Sequence, residues 1–303
     1  MRHSVFTVVL PELTIEEQAK AIAKWGYDGV EWRVASAPTS HNPGEPFNFW
    51  RNRAEDVWVG NVVEEAPRLR RLAEENGLTT AALAGYSQCS DTDGMKALAE
   101  ACETVGARFF RVLLPVYEGT VSYNTLYKEA LRDLGRAAQM AAERGVRACI
   151  ELHPGTIHPS AGLALRLVEN FDPASVGVIY DAGNLTDEGY EETKMALELL
   201  GEHLAYVHVK DRAWARDEEE ALAEGGQAWV AAERGQVGRP RGWRVEPVTL
   251  GEGVGNWPKV ISVLKGLGYD GWLSNEDFRP EPATEEKLRQ DLRVLKRLEA
   301  ATL

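Results

Sequence analysis

Residues 145–153 read GVRACIELH: a glycine, a run of mostly apolar residues, then a carboxylate and an imidazole at its far end. The same sentence is spelled again along the chain. Gly106 precedes ARFFRVLL, Gly201 precedes EHLAYVHV, Gly77 precedes LTTAAL, Gly26 precedes YDGVEW and Gly268 precedes YDGWLS. Glycine is favoured in the left-handed turn that ends a helix. The runs that follow are nearly continuous in apolar side chains, the pattern of strands buried on both faces. Helices alternating with such strands imply a parallel sheet with helical crossovers.

Eight strands are expected near residues 4–9, 28–32, 79–84, 108–114, 146–152, 176–181, 204–209 and 271–276. The sixth, SVGVIYD, lacks the preceding glycine and takes its turn from Asp172 and Pro173. Thr14 with Glu17 forms a capping-box pattern ahead of a helix over 15–25. Eight such units in 303 residues point to the α/β class, a (β/α)8 TIM barrel, as one domain spanning 1–303. The near-identical words GYDGVEW and GYDGWLS at opposite ends of the chain fit closure of that barrel. Residues 34–60 and 212–250 interrupt the rhythm. The second contains an expected helix from Asp217 to Glu233. Long insertions in barrels sit mostly on the active-site face, which is the placement favoured for 212–250. For 34–60 a surface or subunit contact is weighed equally.

The formal net charge of −13 argues against nucleic-acid or anionic-membrane partners. No apolar run reaches the length of a membrane span. Cys89, Cys102 and Cys149 are too few and too scattered for a disulfide framework or a cysteine zinc site. The cytoplasm is the expected compartment, and a homo-oligomer is left open.

In a parallel barrel the chemistry sits at the C-terminal ends of the strands. Polar residues gather there: Glu31 and Arg33 on the second strand, Arg111 on the fourth, Glu151 and His153 on the fifth. Asp181 ends the sixth, His208 and Lys210 the seventh, Glu276 and Asp277 the eighth. A buried charge without a partner is costly, so four consecutive strands ending in Glu151, Asp181, His208 and Glu276 suggest a shared one. Converging on the barrel axis, they form a hard, oxygen-rich set suited to one divalent ion. Mn2+ comes first, with Mg2+, Co2+ or Zn2+ as alternatives. Arg33, Arg111, Lys210 and Asp277 read equally as substrate contacts or as rim ion pairs. Trp214 and Trp243 read as an apolar wall for a sugar ring or as anchors of the insertion.

The segments ACIELH, VIYDAGN, YVHVKD and LGEGVGNWPKVISVLKGLGYDGWLSNED resemble the xylose isomerase-like barrel superfamily, in its sugar phosphate isomerase/epimerase branch. The resemblance covers nearly the whole chain and is most specific from Glu151 to Asp277. It implies that Glu151, Asp181, His208 and Glu276 ligate the metal. It also implies that Glu151 and Glu276 flank a small carbohydrate and exchange protons with it beside a ketone, through an enediolate. The branch includes ketose 3-epimerases, hydroxypyruvate isomerases and inosose dehydratases. Asn184 stands where the ketose 3-epimerases have a histidine, and Trp214 about where they have an arginine. The patterns E-x-H-P-G-T at Glu151–Thr156 and Y-D-x-G-N at Tyr180–Asn184 look closer to inosose dehydratases and 3-keto-glycoside enzymes.

The expected function is therefore a metal-dependent sugar isomerase or epimerase with Glu151 and Glu276 as acid and base. His153 is an additional acid/base, and Asn184, Lys210, Arg111, Arg33 and Trp214 are substrate contacts. A metal-dependent lyase or dehydratase is the first alternative, and a non-catalytic sugar-binding barrel the second. The multi-zinc DNA-repair endonucleases of the superfamily need many histidines and a basic face, whereas this chain has six histidines and an acidic balance.

Overall fold

The computed structural model describes residues 1–38, 46–50, 57–188, 191–222, 228–230 and 238–302. Twelve strands occur among them, in chain order β1 (Arg2–Phe6), β2 (Gly29–Val34), β3 (Thr79–Gln88), β4 (Phe109–Leu113), β5 (Arg147–Glu151), β6 (Val176–Asp181), β7 (Leu204–Val209), β8 (Asp211–Arg216), β9 (Trp229–Val230), β10 (Arg239–Pro240), β11 (Trp243–Val248) and β12 (Trp272–Asn275). Seven of these, β1 to β7, close with β12 into one barrel in the order β1-β12-β7-β6-β5-β4-β3-β2. All its pairings are parallel. The α/β barrel expected from the glycine-strand repeat is the fold of the chain.

Local chemistry explains the connections. Thr14 accepts from the Glu17 amide while Glu17 caps the Thr14 amide, which starts the helix Ile15–Trp25. That helix ends at Gly26, at φ 90°, a conformation that favours glycine. Asp91, Ser122 and Ser160 each accept from a first-turn amide of a later helix. The first strand is shorter than expected. The chain leaves β1 after Phe6 for a 3-10 turn over Thr7–Val9, where Thr7 Oγ1 accepts from the Arg33 amide. An apolar run fits a strand and a buried turn equally well, so periodicity could not separate them. The two GYDG words are not on neighbouring strands either. They lead into β2 and β12, which flank β1 on its two sides.

The insertion 212–250 carries an antiparallel hairpin of β8 and β11 on the barrel mouth. Its expected helix from Asp217 to Glu233 spans only Glu218–Leu222 among the described residues, and Trp229–Val230 pairs with Arg239–Pro240 instead. The apolar and β-branched pair Trp-Val fits a strand better than a helix. Of the insertion 34–60, residues 39–45 and 51–56 lie outside the described residues, while Phe49 and Trp50 border the cavity at the mouth. No described helix is long and apolar enough to cross a membrane.

Candidate metal centre and active site

Side chains two apart on a strand share a face. On β5 to β7 this places Cys149, Ile179 and Tyr206 in the barrel interior, with Glu151, Asp181 and His208 above them at the mouth. Glu276 follows β12 directly. Register brings Asp181 opposite His208 and Ser274 opposite His208 on the other side. One ligand atom from each of Glu151, Asp181, His208 and Glu276 lies within 4.8 Å of the others, and all four residues are buried. Nδ1 of His208 is 3.1 Å from Glu151 Oε1, 3.8 Å from Asp181 Oδ2 and 3.7 Å from Glu276 Oε2.

The other ring nitrogen explains why Nδ1 faces the acids. His208 Nε2 lies 3.2 Å from both carboxylate oxygens of Glu31. Tyr206 donates to Glu31 at 2.8 Å, and Ser274 donates to its second oxygen. Despite its burial, the carboxylates of Glu31, Glu276 and Glu151 hold His208 well above the usual imidazole range, so both ring nitrogens carry protons here; with a metal bound, Glu31 would keep the Nε2 proton and leave the Nδ1 lone pair to the cluster. Carboxylates only accept, so a lone pair among three of them calls for something positive between: a proton or a metal. Three carboxylates and one imidazole nitrogen fit a hard divalent cation.

Two cations brace the cluster. Arg111 Nη1 donates to Glu151 Oε2 at 2.7 Å. Lys210 Nζ stands 2.6 Å from Asp181 Oδ2 and also donates to Glu276. Gly183 makes room for this lysine, since a Cβ there would overlap the Lys210 stem. Asn184 Nδ2 donates to Glu151 Oε1 at 3.2 Å and to the Leu152 carbonyl at 2.9 Å. Burial alone would raise Glu151, but the Arg111, His208 and Lys210 charges hold it well below the usual carboxylate range. Burial, with Glu151 and Asp181 nearby, pushes Glu276 up to about 7 despite Lys210 and His208. Two carboxylates in one site are thereby set apart, an arrangement that separates an acid from a base.

The cluster opens into a cavity of about 520 Å³ whose walls include Glu151, His153, Asn184, Lys210, Arg111 and Glu276. His153 Nδ1 lies 2.8 Å from the Pro154 carbonyl, so this nitrogen is the donor and Nε2 the free acceptor. Two expected substrate contacts stand elsewhere. Arg33 lies over the Tyr86 ring at 5.1 Å and Trp214 Nε1 donates to the Thr186 carbonyl at 3.1 Å; neither is among the described lining residues. Trp243, 38% exposed, carries the Arg216 guanidinium over its ring. Asp277, for which rim ion pair and substrate contact read equally, pairs with Arg279 through both oxygens.

Glu31 as the support of His208 escaped the sequence reading; the signal was a carboxylate inside the otherwise buried strand GVEWRV. Asp211 was missed as well. Its carboxylate accepts from the amides of Gly251, Gly253 and Gly255 at 2.9, 3.1 and 3.0 Å. A Cβ on Gly253 would overlap that carboxylate. The glycines of LGEGVG therefore wrap an internal anion.

A family model described as xylose isomerase-like TIM barrel matches residues 19–298. Among curated proteins, inosose dehydratases are similar in part. That of Geobacillus thermodenitrificans (strain NG80-2) is 27% identical over 148 residues, covering 46% of this chain and 43% of that protein. That of Geobacillus kaustophilus (strain HTA426) is 29% identical over 148 residues, covering 48% and 44%. The match thus spans less than half the length of these relatives. Among solved structures, IolI protein with a bound zinc atom superposes with a TM-score of 0.72 at 16% identity, over 100% of this chain and 99% of that one. The 3-keto-D-glucoside 4-epimerase YcjR from E. coli gives 0.70 at 15%, over 98% and 99%. A D-psicose 3-epimerase studied with D-fructose gives 0.68 at 13%, over 99% and 100%. At these identities the solved structures speak for the fold.

Proposed function

The chain belongs to the xylose isomerase-like TIM barrel family, and from that premise we propose that it is a divalent-metal-dependent isomerase or epimerase that moves a proton on carbon beside the ketone of a sugar or related polyol. The observation that carries this reading is the buried convergence of Glu151, Asp181, His208 and Glu276 within 4.8 Å, at the floor of a cavity large enough for a sugar. These four would hold the metal, which when bound supplies a Lewis acid for the ketone oxygen and the neighbouring hydroxyl. Mn2+ suits the oxygen-rich donor set, as do Mg2+, Co2+ and Zn2+.

The remaining work falls to the chain. Glu151, kept ionised by Arg111, takes the proton from carbon. Glu276, reached from the other side of the cluster through β12, returns a proton to the same carbon or its neighbour. Lys210, Asn184 and Arg111 line the cavity and orient the sugar's oxygens. General acid-base help of this kind is worth about 10²–10⁴-fold.

Elimination is the second reading. It is favoured by His153, whose Nδ1 is held by the Pro154 carbonyl and whose Nε2 at the cavity wall, when the ring carries both protons, would give one to the leaving oxygen as that oxygen's bond to carbon breaks. The partial likeness to inosose dehydratases points the same way. Incubation with Mn2+ in D2O with ketoses, inososes and 3-keto-glycosides separates the readings. Deuterium beside the carbonyl without other mass change supports isomerisation or epimerisation. Loss of water or an aglycone supports the lyase, and His153→Ala should then abolish it while keeping the metal. No exchange across the panel with metal in place leaves a binding barrel.

A further inference from the structure

Asp211 takes no part in the chemistry above, yet it follows Lys210 directly and is 3% exposed. Both its oxygens are fully used. Oδ2 accepts from the amides of Gly251 and Gly253 at 2.9 and 3.1 Å, and Oδ1 from those of Gly255 and Arg212, each at 3.0 Å. A carboxylate offers about four acceptor sites, and backbone amides turned toward one point make an anion-binding concavity. Segment 251–255 is such a concavity, filled by the chain's own anion. Its sequence suits the bend. Gly251 stands at φ 90° and Asn256 at φ 41°, left-handed backbone that glycine adopts freely and asparagine tolerates. A Cβ on Gly253 would overlap the Asp211 carboxylate, and one on Gly255 would crowd both that carboxylate and Trp257 Nε1.

A second set of contacts ties the concavity to the ionic cluster. Trp257 is fully buried at the start of the helix Trp257–Gly266, and its Nε1 donates to the Lys210 carbonyl at 3.2 Å. The main chain at Lys210 is thus gripped twice, at its own carbonyl and one residue on at Asp211. From that fixed point Nζ reaches Asp181 and Glu276. The same grip joins the two feet of the hairpin: Asp211 pairs with Val248, and the Val254 amide donates to the Arg212 carbonyl at 3.0 Å.

We infer that Asp211 is a positioning residue: by filling the amide concavity of 251–255 it fixes the main chain at Lys210, and with it the place of the ammonium group between Asp181 and Glu276. The consequence for turnover rests on the proposed metal-dependent reading; the consequence for Lys210 does not. Only a carboxylate meets the need. In Asp211→Asn one oxygen becomes an NH2 group that faces amide donors. Asp211→Ala leaves the concavity open by about the size of a formate ion.

Reductive methylation of the native protein with Mn2+ supplied, read lysine by lysine by mass spectrometry, tests this. In the wild type Lys210, 8% exposed and paired twice, should react slowly. Lys287, 2% exposed and bound to the Arg279 carbonyl, is the internal control. Asp211→Ala and Asp211→Asn should speed Lys210 by about tenfold, the scale of one lost hydrogen bond, and leave Lys287 at its wild-type rate. Formate should slow Lys210 again in Asp211→Ala and change nothing in Asp211→Asn or the wild type, where the concavity is occupied. On a ketose that the wild type exchanges, turnover should fall by about 10–100-fold, the scale of a misplaced group, and formate should recover part of it in Asp211→Ala alone. The inference is overturned if Lys210 reacts fast in the wild type or stays slow in both variants. Equal speeding of Lys210 and Lys287, which marks general loosening, overturns it too, as does formate without effect on Asp211→Ala. Should the Asp211 variants fail to fold, Gly253→Ala attacks the same contact from the other side and should speed Lys210 alone, with no response to formate. If none of the three folds, Asp211 is a folding residue and the inference falls. Selective exposure of Lys210 in a protein that exchanges no ketose loses only the catalytic reading. Wild-type exchange with Lys210 still protected in both variants loses only this one.

Discussion

The barrel interior has two halves built on the same strands. In the lower half Phe109, Cys149, Ile179, Tyr206 and Trp272 pack as a dry cluster. Two residues further along β5, β6 and β7, Glu151, Asp181 and His208 form a buried ionic cluster. Advancing two residues along a strand covers only about 7 Å, and over that distance the interior changes from apolar to charged. The lower half holds the strands in register, so that the upper half can keep like charges together at a cost. Tyr206 joins the two: its ring packs on Phe109 at 5.4 Å and its hydroxyl holds Glu31.

If this division of labour is right, the upper half is spent on chemistry. Glu151→Gln and Glu276→Gln should each lower deuterium exchange on an active ketose by about 10²–10⁴-fold and reduce Mn2+ occupancy measured by elemental analysis. Both variants should remain folded. Full rate and occupancy in both would remove the site from this end of the barrel.

Trp272→Ala probes the lower half. Gly29 has no side chain, and a Cβ there would overlap the Trp272 ring, so the indole occupies space that no neighbour can readily refill. The variant should lose about 3–5 kcal/mol in urea denaturation, while the folded fraction binds Mn2+ as the wild type does. A parallel loss of metal affinity would show that the halves are not separable.

Glu31→Gln sharpens the boundary between them. Loss of the carboxylate behind His208 should weaken Mn2+ binding about 10–100-fold, readable by competition with a chelator, with a smaller change in stability than Trp272→Ala. An unchanged affinity would mean that packing against Phe6, stacked 5.7 Å from the imidazole, orients His208 by itself.

The smallest expected effect is no effect. Burial pushes the Cys149 and Cys89 thiols up to about 12, and Cys102 also upward. At pH 8 all three should stay protonated and unreactive toward a thiol reagent until the protein unfolds. Rapid modification of Cys149 in the native protein would show that the lower half opens.

The alternation of helix, glycine and apolar run was readable because each unit is local: a cap, a turn and a strand specify one another within about 30 residues. The four residues of the ionic cluster were readable for a related reason. Each ends a run that must be buried, so each announces a charge needing a partner. Glu31 was harder because its meaning lies in His208, 177 positions away. Arg33 and Trp214 looked like Arg111 and Lys210 in the sequence. What separated them was position: Arg111 and Lys210 line the cavity and pair with the cluster, whereas Arg33 and Trp214 are not among its described lining residues.

The sequence by itself determined the architecture and named the strand ends where charge collects, because periodicity, glycine turns and the cost of buried charge act over short stretches. Only the tertiary structure decided which nitrogen of His208 faces the acids, that Lys210 braces Asp181 and Glu276, and that Asp211 is wrapped by three glycine amides. Those outcomes depend on distances between strands that meet only when the barrel closes.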